Sequence, residues 1–96
     1  MVYFPKSEYK FVRFEKSKTK RKKYDAIIIN KLNGREKHLP FGDVRYQHFK
    51  DTTGLNIYTH LDHNDNDRRR LYRARHKQFL KNGYYSPSFY SYFYLW

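Results

Sequence analysis

The chain begins in short alternations and ends in a crowd of rings. From Tyr9 to Phe14 (YKFVRF) large apolar residues interleave with charged ones, which predicts a short strand. KYDAIIIN, residues 23 to 30, is a β-branched apolar run of strand length and predicts a second. Asn33-Gly34 then signals a two-residue type I′ turn, whose central residues both need positive φ. Such a turn sets Leu32 opposite Arg35, Lys31 opposite Glu36, Ile28 opposite Leu39 and Ala26 opposite Phe41. Lys31 and Glu36 would form an opposite-charge cross-strand pair. Tyr24, Ala26, Ile28, Leu39 and Phe41 share one face of this hairpin. Ile27 and Ile29 point to the other, which calls for a cover there too, such as a helix.

Val44 to Phe49 (VRYQHF) predicts one or two helical turns with Tyr46 and Phe49 on one side. Asp51 to Gly54 is a turn, and Leu55 to His60 is extended or irregular. The polar knot LDHNDND, residues 61 to 67, opens into RRRLYRARHKQFLKNG, the clearest helix. Asp65 or Asn66 can cap its start and Gly83 stops it. Tyr72, Arg75, His76 and Phe79 fall on one face. Ser86-Pro87 reads as an N-cap with proline at the first position of a short helix ending near residue 95. Phe89, Phe93 and Trp96 align on one side of it, expected to cover the hairpin, with Tyr90 and Tyr94 on the adjacent side. The expected fold class is α+β: a small antiparallel β-hairpin or three-stranded meander packed with one main basic helix and a short C-terminal aromatic helix. Residues 1–23 read as a basic N-terminal arm or edge strand, and 24–96 as a single α+β domain.

Composition adds a partner to this picture. The 96 residues carry 21 Lys and Arg against 9 Asp and Glu, a formal charge of +12, together with 21% aromatics. High charge with few aromatics would read as disorder; with many, it reads as a folded, basic module that attracts polyanions. KSKTKRKK, residues 16 to 23, is the densest run. The helix is the second concentration: Arg68, Arg69, Arg70, Arg73, Arg75, Lys77 and Lys81 have no acid among them, so they repel one another until something anionic offsets them. The absence of cysteine excludes disulfides and thiolate metal sites and weakly opposes secretion. No apolar run approaches the ~20 residues of a membrane span. The first ten residues lack the apolar core of a signal peptide.

Phe41-Gly42, Tyr46, Phe49, His60-Leu61-Asp62, Arg68-Arg69, Tyr72, Arg75-His76, Tyr85-Ser86, Phe89, Ser91 and Leu95-Trp96 occur in that order. This pattern resembles small basic, mostly uncharacterised proteins of large DNA viruses of eukaryotes, with relatives in some phages. The resemblance covers about residues 24 to 96. It implies a viral origin and a virion-associated role, and supplies no reaction.

Three groups of residues carry candidate chemistry. His60 to Asp67 gathers two histidines and three carboxylates, ligand types for Zn²⁺ or a harder cation. Asp62-His63-Asn64 also echoes the Asp-His segment of HNH nucleases, without the glycine and spaced asparagine that accompany it there. The alternative is structural: Asp62 and Asp65 pair with the arginines that follow, and His60 bonds in the core. Second, Lys18, Lys20, Arg21, Lys22, Lys23, Arg70, Arg73, Lys77 and Lys81 are the expected polyanion-binding cations, while Arg69 and Arg75 are expected to pair with Asp62 or Asp43. No base-reading motif accompanies them, so such binding is expected to be non-specific. Third, eight of the 13 residues from 84 to 96 are aromatic, more than a hairpin and one helix can bury. Tyr84, Tyr85, Tyr90, Tyr92 and Tyr94 are therefore expected to form an exposed patch for a partner.

Neither a nucleophile–base pair nor a phosphate-cradling loop is evident, and so short a chain is not expected to enclose a substrate-sized cavity. The expectation is not an enzyme, with no cofactor and no metal. The leading reading is a small viral structural protein, minor capsid, cement or core-associated. It is expected to dock on capsid or other virion proteins through aromatic and arginine-rich surfaces, as one subunit of an assembly, with packaged DNA as a further, non-specific partner. Its location would be the virion, assembled in host cytoplasm or nucleus. The alternative is a non-specific nucleic-acid-binding or condensing protein; an HNH-like nuclease ranks below both.

Overall fold

The computed structural model describes residues 3–96. Its elements in chain order are β1 (Phe4–Pro5), β2 (Tyr9–Lys16), β3 (Lys22–Asn30), β4 (Glu36–Asp43), α1 (Asn66–His76), β5 (Tyr84–Tyr85) and α2 (Pro87–Tyr94). β2, β3 and β4 form an antiparallel sheet in that order, and β1 pairs with β5 in a separate two-stranded ribbon. The fold is α+β, with the meander, basic helix and short C-terminal helix that the sequence predicts. No helix among the described residues is long and apolar enough to cross a membrane.

The core lies on one face of the meander. Tyr24, Ala26, Ile28, Leu39 and Phe41 are buried there together with Tyr90 and Leu95 of the C-terminal segment. Phe11 and Phe14 join them although they are three residues apart in a strand. A bulge between Phe11 and Arg13 makes this possible: the extra residue, Val12, resets the alternation so that both rings face inward. The segment set apart as a basic arm is thus stitched into the same core, by β2 and by the pairing of Phe4 with Tyr85.

The hairpin face is as expected, but its register is not. Ala26 sits opposite Leu39 and Tyr24 opposite Phe41, a slip of two residues. Only Gly34 takes a positive φ in this turn. The Asn30 side chain accepts from the N–H groups of Leu32 and Asn33, and Gly34 N–H bonds to Asn30 O, which closes a longer loop over residues 31–34. Glu36 therefore meets Ile29, and its carboxylate bonds Arg13 rather than Lys31. Arg13 lies on β2 and Glu36 on β4, so their bridge crosses the outer face of β3. Strand neighbours, not a helix, flank Ile27 there: it sits between Arg13 and His38 and is fully buried.

Val44 to Phe49 is not helical. The Asp43 carboxylate takes the N–H of Arg45, and His48 forms an isolated bridge with Asp62, so distant partners override the local pattern. Asp65 caps α1 by accepting from Asp67 N and Arg68 N. α1 gives way to a 3₁₀ turn at Lys77–Phe79, short of Gly83. Ser86 caps α2 by accepting from Phe89 N, with Pro87 first in the helix, as expected.

The aromatic end differs from expectation. Tyr90, not Phe93, faces the sheet. Its ring lies 5.0–5.9 Å from those of Phe11, Phe14, Phe41, Tyr85, Phe89 and Tyr94. Phe93 is half exposed, and Trp96 stacks on Tyr72 of α1 at 4.1 Å.

Candidate functional site

Two features stand out: a buried polar chain, and beside it a basic groove. The chain starts at Lys23, which enters the core from the end of the basic run and is 2% exposed. Its ammonium donates to Tyr46 O and to His48 Nδ1, both at 2.8 Å. An ammonium has only donors, so Nδ1 must accept and the imidazole proton sits on Nε2. Nε2 donates to Asp62 Oδ1 at 2.5 Å, which also accepts Asp51 N at 2.9 Å. The Asp51 carboxylate takes the Tyr24 hydroxyl and both the N–H and hydroxyl of Thr53. Tyr24 in turn accepts from Ile57 N and Tyr58 N. These bonds pin a long irregular segment, residues 44–63, to β3.

The ionisation shifts follow from enclosure. Burial pulls the Lys23 ammonium down to about 8, against the attraction of Asp43, Asp51 and Asp62. Burial, then the Lys23 charge, holds His48 below its ordinary value despite the bond to Asp62. Burial pushes the Tyr24 phenol up to about 12, helped by its bond to Asp51. Burial alone would raise Asp51, but hydrogen bonds from Thr53 and Tyr24 outweigh it and hold the carboxyl low.

Lys23 therefore corrects the expectation that it joins the polyanion-binding set: its charge is spent inside the fold. Arg73 is half buried, donating to Trp96 O and Tyr92 O and lying over the Tyr92 ring. Arg69 also donates to Trp96 O, not to Asp62 or Asp43. Asp43 is instead held by Arg45, whose bonds keep its carboxyl well below the ordinary range. Lys18, Lys20, Arg21, Lys22, Arg70, Lys77 and Lys81 are exposed. Lys81 lies 4.3 Å above the Tyr84 ring.

The tyrosine patch is corrected as well. Tyr90 and Tyr92 are buried, and Tyr84, Tyr85 and Tyr94 are partly covered. More rings fit than the count allowed because β1 and β2 add a wall. Of the acidic knot, His60 is exposed, Asp62 serves His48, Asp65 caps α1, and His63 accepts Asp65 N while leaning on Trp96. Among the described residues, no three His, Cys, Asp or Glu side chains converge as metal ligands would.

An open groove of about 590 Å³ runs between residues 43–47 and α1. Tyr46 and Gln47 line one wall; Arg68, Leu71 and Arg75 line the other; Leu95 and Trp96 lie among them at the base. Arg68 donates to Gln47 across it. Stacking builds the helix side: Tyr72 is sandwiched between Trp96 at 4.1 Å and His76 at 4.0 Å. Sequence reasoning missed Arg45, Tyr46, Arg68 and Arg75 as site residues. The signal was available in the i, i+3, i+4, i+7 spacing of Arg68, Leu71, Tyr72 and Arg75, which puts them on one stripe, opposite Arg70 and Lys77. The chain matches no protein-family model, no curated protein and no solved structure.

Proposed function

We propose that this protein binds polyanions through its surface cations, with the backbone of nucleic acid as the ligand. One observation carries the reading: the fold uses seven of its nine acids in its own contacts and leaves most of its cations over. Glu15 and Glu36 go to Arg13, Asp25 to Ser17 and His38, Asp43 to Arg45, Asp51 to Tyr24 and Thr53, Asp62 to His48, and Asp65 to a helix cap. Among the described residues, only Arg13 and Arg45 of the 21 Lys and Arg pair with an Asp or Glu side chain within 4.0 Å, while Arg69 and Arg73 share Trp96 O. The self-repulsion along α1 is thus left for an outside partner to offset.

The resemblance implies a place in the virion, where packaged DNA is the polyanion at hand. Docking on a capsid neighbour is the second reading. Half-exposed Phe93 supports it, beside Phe89 and Leu80 in a groove of about 320 Å³ rimmed by Lys6, Lys77 and Lys81.

Titration of labelled random-sequence DNA across a salt series tests the first reading. Affinity is expected to fall by roughly a hundredfold or more between about 50 and 200 mM salt. Replacing Lys18, Lys20, Arg21 and Lys22 together with alanine should flatten the log–log slope by roughly 3. No binding at low salt, or binding indifferent to salt, counts against it.

A further inference from the structure

We propose that the groove between residues 43–47 and α1 seats a base of single-stranded nucleic acid, with flanking phosphates on Arg68 and Arg75 at one rim and on the Lys18–Lys22 loop beyond the other. This rests on the polyanion reading above and narrows it to a strand whose bases are free.

The argument begins with Tyr46. Its side chain is 63% exposed at the groove wall, with the Arg45 guanidinium 5.5 Å from its ring centre. Tyr72 offers no such face, because Trp96 and His76 occupy both sides of its ring. An exposed ring at the wall of a basic groove is a platform on which a planar nucleobase can stack. Leu71, also exposed, supplies an apolar contact on the opposite wall. A volume of about 590 Å³ is in the range of small-ligand sites and admits a nucleoside.

The charges agree. Arg68 and Arg75 line the groove without a carboxylate partner, and Asp43, the acid beside them, is neutralised by Arg45. The basic loop is fixed next to the same wall: Val44 N–H bonds to Arg21 O at 2.9 Å, and the Lys22 backbone lies opposite Asp43 in the β3–β4 register. A strand can therefore run from the Lys18–Lys22 loop past the mutually neutralised Asp43–Arg45 pair and over Tyr46 to Arg68 and Arg75 on α1. A duplex keeps its base faces stacked inside, so it can use the cations but not Tyr46.

The experiment compares a labelled oligothymidine with a duplex of equal length, at one low salt concentration. The single strand should bind roughly tenfold more tightly. Tyr46→Ala should remove that advantage and leave duplex binding unchanged, while Tyr46→Phe retains it. The single tryptophan, Trp96, lies in the groove, so its emission should respond to the oligothymidine and not to the duplex. Tyr46 is largely exposed, so Tyr46→Ala should fold, as circular dichroism can verify. Equal affinity for both forms, or an indifferent Tyr46→Ala, overturns the groove assignment while leaving the polyanion reading intact. Failure of both nucleic acids to bind takes down the two together.

Discussion

At Tyr90 a phenol occupies a place that chemistry would assign to phenylalanine. Six rings surround it, and its hydroxyl is buried without a hydrogen-bond partner among the described residues. Burial raises its pKa strongly, with the neighbouring Tyr85 and Tyr94 adding to the shift. Removing an unpaired buried hydroxyl recovers its desolvation cost. Tyr90→Phe is therefore expected to leave stability unchanged or raise it by up to about 1 kcal/mol. Urea unfolding at constant m-value reads this directly; a loss of stability would mean that the hydroxyl has a partner in solution. Lys23 is the opposite case, a charge whose burial is matched by two acceptors and by three nearby carboxylates.

At the scale of elements, Gly42 shows how β4 meets the C-terminal segment. Its φ is +73°, and a Cβ there would lie 2.9 Å from Leu95 Cδ1 and 3.1 Å from Lys23 Cδ. Gly42→Ala combines a left-handed backbone with overpacking and should cost about 2 kcal/mol or more in thermal or urea unfolding. The elements legible in the sequence are those specified within a few residues: the Ser86-Pro87 start of α2, the Asp65 cap, and the buried stripe Tyr24-Ala26-Ile28. The register of the hairpin was not, because Asn33-Gly34 favours a tight turn while Asn30 closes a looser one. The slip is by two, so parity and the buried face survive it. Val44 to Phe49 was misread because His48 answers to Asp62, 14 residues on, and to Lys23, 25 back. The same long-range bonds build one wall of the groove, which is why the site was less legible than the fold. The inward turn of Tyr90 was equally hidden, since its ring packs against Phe11, Phe14 and Phe41 from strands far away in the sequence.

For the whole molecule, acid should be destabilising well above the range where carboxylates titrate. His48 is held neutral below the ordinary 6.5 of an imidazole. As pH falls through 6.5 the unfolded chain takes up the proton first, so the contribution of His48 is complete above that value and declines below it. His63 and His76 are lowered by burial and by neighbouring arginines and act in the same direction. Asp51, held low, adds a further loss once pH drops below the ordinary 3.8. The thermal midpoint should fall between about pH 7 and pH 5, and His48→Gln should make that slope shallower. A flat or rising midpoint over this interval would contradict the assignment.

The sheet has two open margins, and its central strand carries three consecutive isoleucines. Such a combination ordinarily invites strand-to-strand polymerisation into fibrils. Here one margin is kinked by the extra residue at Val12 and studded with Lys10, Arg13 and Lys16, and the other contains Pro40, which has no N–H to offer a newcomer. Both margins are thereby poor templates for strand addition, and the isoleucine-rich strand stays in the middle, out of reach of another copy.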